Sequence, residues 1–363
     1  MRVLFVTKYG PRAASSRTRV FQYLPHLRAH GVDCEVLTVL PDEALGGSQL
    51  AASRRPLAKA LYYLGAAWRN AACGLRAWRR ARGADALFLQ KVIFPAPVRW
   101  LIHRTGVPVV YDFDDAIFTT ETGGRSGGLL ARWRQRRACA GLPAMLRLAR
   151  LAVVENPYTG EFAGRYGPVL TITGPIDPAP FAGIRRDGGT GPVVLGWIGS
   201  ASTAGYLELI AEPLRRVARQ EPVRVCVVGA EWSLDGVEVE CRPWSLEREA
   251  EDLGGWEVGL MPLPDDPWTR GKGGYKLLQY MAAALPVVAH PVGVNGEIVA
   301  DGETGLLAAD EAAWESALLR LVRDPALRRA FGERGRQRVE DRYGLAVHAP
   351  RLLAMLRQLG GSR

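Results

Sequence analysis

The chain has 363 residues, 48% of them hydrophobic, and its 47 Lys and Arg against 37 Asp and Glu leave a formal charge of +10. That length exceeds one ordinary domain and suits two of about 170 residues, while five scattered cysteines with no CxxC pair argue against a disulfide frame or a zinc site. No apolar run is long enough to span a membrane, and no nucleic-acid motif accompanies the positive charge, so phosphorylated small molecules and acidic membrane surfaces are its expected recipients, not nucleic acid.

The opening MRVLFVTKYG reads as a strand over residues 2–7 followed by polar residues, not as a cleaved leader. Further apolar strands are expected at 34–39, 86–90, 107–111, 151–154 and 169–173, with a helix over 20–30 closed by Gly31. This alternation predicts a doubly wound, Rossmann-like domain. The loop after its first strand, KYGPRAASSRTR, lacks GxGxxG, which disfavours a nicotinamide or flavin enzyme. It still leaves the carboxyl end of a strand, where Ser16, Arg17 and Arg19 either face a ligand or are surface charges. Residues 54–82 carry Leu57, Leu61, Leu64, Trp68, Leu75 and Trp78 on one helical side with many Arg around them. Such a helix packs on the sheet or lies on an anionic bilayer.

PVVYDFDDAIF then brings Asp112, Asp114 and Asp115 to a strand's carboxyl end, where like charges raise one another's pKa unless something binds them. Readings from the residues are a divalent-metal site or ion pairs with local Arg, with Asp112 capping the turn. The four-glycine loop GGRSGG at 123–128 is suited to ordering over a ligand. The strand at 151–154 ends in Glu155 and Asn156.

The second half repeats the alternation, with strands within PVVLGWIGS, VRVCVVGAE, VEVECRP and EVGLMPLPD. A loop of Arg270, Gly271, Lys272, Gly273 and Gly274 then opens a helix ending near Ala284, followed by a buried strand at 287–289 and a glycine-bearing turn. Only five of the basic residues are Lys, and Lys272 and Lys276 fall four apart at this helix start. That spacing sets both ammonium groups on one face beside unpaired amides, a clamp for a diphosphate; the alternative is a solvated face.

The run KLLQYMAAALPVVAHPVGVNGEIVADGETGLL at 276–307 resembles the donor-nucleotide segment of glycosyltransferase family 4, the retaining enzymes of the GT-B fold also described as glycosyl transferases group 1. The resemblance implies two Rossmann-like doubly wound domains facing a central cleft: an acceptor domain at 1–186, a hinge at 187–191, a donor domain at 192–345, and a terminal helix at 346–363 crossing back to the first domain. The implied activity is transfer of a sugar from a nucleotide-diphosphate-sugar to a hydroxyl of a glycan, lipid-linked or small-molecule acceptor, with no cofactor or metal, and the scattered cysteines suit a reducing cytoplasm as its compartment. Peripheral membrane contact would come through residues 54–82.

Carried onto this chain, the resemblance sets Arg270, Lys272 and Lys276 on the diphosphate, with Gly199, Ser200 and Thr203 offering amides and hydroxyls. Trp244 in CRPWS is a stacking partner for the base or a core aromatic. Gly293, Asn295, Gly296 and Glu297 match a GGxxE turn that approaches the donor sugar. Asp114 or Asp115 would hydrogen-bond sugar hydroxyls where the family often presents a His, and Ser16, Arg17 and Arg19 match an SSxRxR opening that meets the acceptor or the donor phosphates. The chain departs from the pattern at Gly271 and Gln279, which replace two family Glu, at Ala284, which replaces a helix-ending Gly, and in the first turn of the second half, which has no Arg or Lys. A non-catalytic nucleotide-sugar-binding scaffold and a sugar-nucleotide epimerase are the competing readings.

Overall fold

The computed structural model describes residues 1–42, 56–119, 140–184 and 191–361. The glycine-rich stretch at 123–128, Arg54, and all of the expected hinge except Gly191 lie outside them. The chain divides into two compact units, residues 1–175 with 348–363, and residues 176–347.

The first unit holds six parallel strands, β1 (Arg2–Tyr9), β2 (Asp33–Leu40), β3 (Ala86–Gln90), β4 (Val109–Phe113), β5 (Leu151–Val154) and β6 (Val169–Thr171), in the order β2-β1-β3-β4-β5-β6. β3 and β4 are buried throughout, as a sheet covered on both faces requires. β4 starts two residues later than the apolar pattern suggests, because Pro108 has no N–H for the ladder. The shift draws Asp112 into the strand. The expected helix at 20–30 is instead α1 (Ala14–Arg19), a 3-10 turn (Phe21–Tyr23) and α2 (Leu24–Ala29). The break falls at Val20, whose backbone is not helical, and Gly31 closes the segment at φ +80°.

In the same unit, α3 (Pro56–Ala81) leaves Leu61, Leu64 and Trp68 exposed, although Cys73 and Ala77 are buried in the core. The terminal helix, Leu345–Gly360, joins this unit from His348 onward, with Arg357 donating to the His30 carbonyl at 2.9 Å. No helix among the described residues is long and apolar enough to cross a membrane.

The second unit holds β7 (Val193–Ile198), β8 (Val223–Val228), β9 (Glu238–Arg242), β10 (Val258–Met261), β11 (Val287–Ala289) and β12 (Gly305–Leu307), all parallel, ordered β12-β11-β10-β7-β8-β9. In both sheets the chain runs outward in two directions from a central strand, β1 or β7. That geometry opens a crevice at the strands' carboxyl ends, the usual ligand position in such sheets.

Candidate functional sites

In the second unit the site is built on α4 (Tyr275–Ala282), which follows β10. Gly274 takes φ +67° at its start, and an added Cβ would lie 2.4 Å from Ile298. Tyr280 fixes the helix: its hydroxyl accepts from the Ile198 amide at 3.1 Å and reaches the Leu260 carbonyl at 3.3 Å, and Gly259 leaves room for its ring. One turn earlier, Lys276 Nζ is thereby held 4.0 Å from the centre of the Trp197 ring and against Gly199, where a Cβ would come within 2.5 Å of it. Lys276 has no ion pair among the described residues. Burial, with Lys272 adding to it, lowers its pKa to about 7.

Around this amine, Ser200 and Ser202 hydroxyls lie 2.9 Å apart, and the Thr203 hydroxyl donates to the Ser200 carbonyl. Gln279, one turn along α4, is 5% exposed and its side-chain amide makes no hydrogen bond among the described residues. Lys272 Nζ is 5.5 Å from the centre of the Trp268 ring. Gly271 is buried in the short turn before α4. Gly293, at φ +56°, packs against the Arg270 carbonyl, and Asn295 is buried with its amide donating to the His290 carbonyl at 3.0 Å. Gly296 and Glu297 are exposed, and the Glu297 carbonyl is held by Arg338 and Tyr343. Trp244 is not a core aromatic. It is 38% exposed beside Gly229, with its indole N–H donating to Glu249 at 2.9 Å.

Arg270 is placed differently from the sequence expectation. It grips Asp265 through two hydrogen bonds of 2.6 and 2.9 Å, because the 3-10 turn at Thr269–Gly271 folds it back over the preceding loop. Its charge is already matched.

The first unit carries a denser cluster. Arg19, expected to face a ligand, is instead buried, clamping Asp112 at 2.5 to 3.2 Å and donating to the Ile172 and Gly174 carbonyls. Asp112 is accordingly an ion-pair partner within β4, not a turn cap. Burial by itself would discharge Arg19, but the Asp112 carboxylate more than offsets it and raises the guanidinium's pKa. Ser16 donates to Gln90 at 2.9 Å and accepts from the Tyr9 amide, and Arg17 donates to the Arg12 carbonyl.

Lys91, directly after β3, adopts φ +56°, and its ammonium reaches both Asp114, at 2.7 Å, and Asp115. A left-handed Lys is strained and persists only where its surroundings hold it. Burial raises the Asp114 carboxyl, yet Lys91 and the Ser15 hydroxyl together bring it below its ordinary value. Sequence reasoning missed Lys91, Glu155 and Tyr280 as site residues. The available signal for Lys91 was its position after an apolar strand in a chain with few Lys.

Residues 192–324 match the family described as "Glycosyl transferases group 1". Over 90 residues the chain is 40% identical to the alpha-maltose-1-phosphate synthase of Mycolicibacterium smegmatis, an alignment spanning 23% of each chain. Sucrose-phosphate synthase from Thermosynechococcus elongatus superposes with a TM-score of 0.68 at 16% identity over 100% of both chains. Anabaena HepE, solved with UDP-glucose, does so at 0.66 and 14% identity, over 99% of this chain and 100% of that one. The architecture is therefore GT-B.

Proposed function

With residues 192–324 as a domain of the glycosyl transferases group 1 family and a GT-B architecture around it, we propose that this protein transfers a sugar from a nucleotide-diphosphate-sugar to an acceptor hydroxyl, with retention of anomeric configuration. The observation that carries this reading is Lys276: a cation fixed by Tyr280, set against a glycine turn, and left with no carboxylate among the described residues. Negative charge grows on the departing diphosphate in the transition state, and Lys276, Lys272 and the amides opening α4 stabilise it. The departing phosphate oxygen takes the acceptor proton on the same face, so no protein nucleophile is needed.

Gln279 both donates and accepts, which suits ribose hydroxyls in place of the family's carboxylate. Trp244 offers a ring face to the base. No metal or cofactor enters this reading; the cation between Asp114 and Asp115 is Lys91. HepE was solved with UDP-glucose, so uridine donors are tested first. We place the enzyme in the cytoplasm, touching the anionic inner membrane face through Leu61, Leu64 and Trp68 of the acid-free α3.

Calorimetry with a panel of nucleotide sugars, followed by a transfer assay, tests the proposal. The expected result is one tight donor, weakened in Lys276→Ala. A donor bound but never consumed, by acceptor or by water, would favour the scaffold reading. Failure of every nucleotide to bind would remove the site.

A further inference from the structure

At the carboxyl end of β5 the first unit holds an acidic group that the proposed reaction does not use. Glu155 follows β5, and the pairing of Phe113 with Val154 sets it beside Asp114. Its side chain is 6% exposed, and its carboxyl group makes no hydrogen bond or ion pair among the described residues. Every other carboxylate of the cluster is engaged, Asp112 by Arg19, Asp114 and Asp115 by Lys91. Among the described residues two cations are paired within this group of four carboxyl groups, and both are committed before Glu155 is reached. Nearby, the Tyr23 hydroxyl is buried and also has no hydrogen-bond partner among the described residues. Two polar groups within electrostatic reach of each other are thus left without hydrogen bonds, which a folded protein tolerates where a ligand or water completes them.

Charge decides what that ligand is. Burial raises the Glu155 carboxyl well above its ordinary range; Arg19 opposes this, and Asp114, Asp115 and Asp112 add to it. A neutral carboxylic acid presents one O–H donor and acceptor lone pairs, the complement of an alcohol. A phosphate in the same place would face carboxylates whose counter-charges among the described residues are already engaged, and like charges repel strongly where water is scarce.

We infer that Glu155, with Asp115 at its more exposed edge, forms a subsite for an uncharged, hydroxyl-rich ligand such as a sugar ring, and discriminates against phosphorylated ones. Calling this ligand the acceptor rests on the transferase reading. The subsite itself does not.

The test is ligand-observed NMR with a panel of neutral methyl glycosides and the matching sugar 6-phosphates, in the presence of UDP, on the full chain and on Glu155→Gln and Glu155→Leu. A neutral glycoside is expected to bind better than its phosphate. Glu155→Gln, which keeps a donor and an acceptor, should hold affinity within about threefold, and Glu155→Leu should lose roughly tenfold. Preference for a phosphate, binding of no glycoside, equal binding by Glu155→Leu, or a Glu155→Gln loss as large as that of Glu155→Leu would each overturn the inference. Calorimetric binding of UDP-sugars to the same samples separates the two proposals. Intact donor binding with any of those outcomes sinks only the subsite, and absent donor binding in the wild type sinks the transferase reading instead.

Discussion

The two units solve the same problem, charge at the carboxyl ends of a parallel sheet, in opposite ways. In the first unit both cations of the cluster have a carboxylate, Arg19 with Asp112 and Lys91 with Asp114 and Asp115, so among the described residues the cluster keeps no unmatched positive charge of its own. In the second, Lys276 has an aromatic ring and a glycine turn but no carboxylate among the described residues. Matched charge makes rigid architecture and leaves hydroxyl-type recognition. Unmatched charge is a standing cost in the free protein that a diphosphate relieves.

The largest expected effect breaks the matched side. Arg19→Met strands a buried Asp112 and should destabilise the first unit by about 3–5 kcal/mol, read from urea denaturation. Should the loss be below about 1 kcal/mol, the pair is not holding β4 to the end of β6.

Next comes the unmatched side. Lys276→Ala should weaken nucleotide-diphosphate binding by about 1.5–3 kcal/mol, one charge-assisted contact, measured by calorimetry, while leaving the melting temperature unchanged or higher.

The same lysine predicts a pH profile. With its free pKa near 7, Lys276 is increasingly neutral above that pH, and binding a diphosphate must return its proton. Affinity for a nucleotide sugar, whose own phosphates do not titrate in this range, should fall from pH 7 to 9 by up to about tenfold per pH unit. The slope should vanish in Lys276→Ala. The folding side has the opposite sign: the buried ammonium destabilises the fold in full below its folded pKa of about 7, and stability rises with pH from there toward the unfolded value.

The smallest effect concerns the end of α4. Ala284 sits at φ +51°, a left-handed position. Ala284→Gly should therefore stabilise by about 0.5–1 kcal/mol, since relief of left-handed strain exceeds glycine's added chain entropy. A drop in melting temperature would mean that the Ala284 methyl packs better than its backbone suffers.

Much of the fold was legible because it is written locally. Apolar runs punctuated by glycine and proline marked most strands of both sheets, and two lysines four apart marked the start of α4 before any contact was known. The exceptions were also local: Pro108 moved β4 by two residues, and β12 at Gly305–Leu307, which begins on a glycine and has only two apolar residues, left no apolar run to read.

The sites were legible as places more than as partnerships. An α/β chain of two halves, a glycine-flanked lysine pair after β10, and three aspartates at the end of β4 could all be read along the chain. It took the folded chain to pair Arg19 with Asp112, 93 residues away, to engage Arg270 with Asp265, and to turn Lys91 through a left-handed backbone onto Asp114 and Asp115. The fold also decided that Glu155 is left over. Secondary structure follows from neighbours along the chain, whereas the fate of a charge depends on which opposite charge and how much water the finished fold leaves beside it.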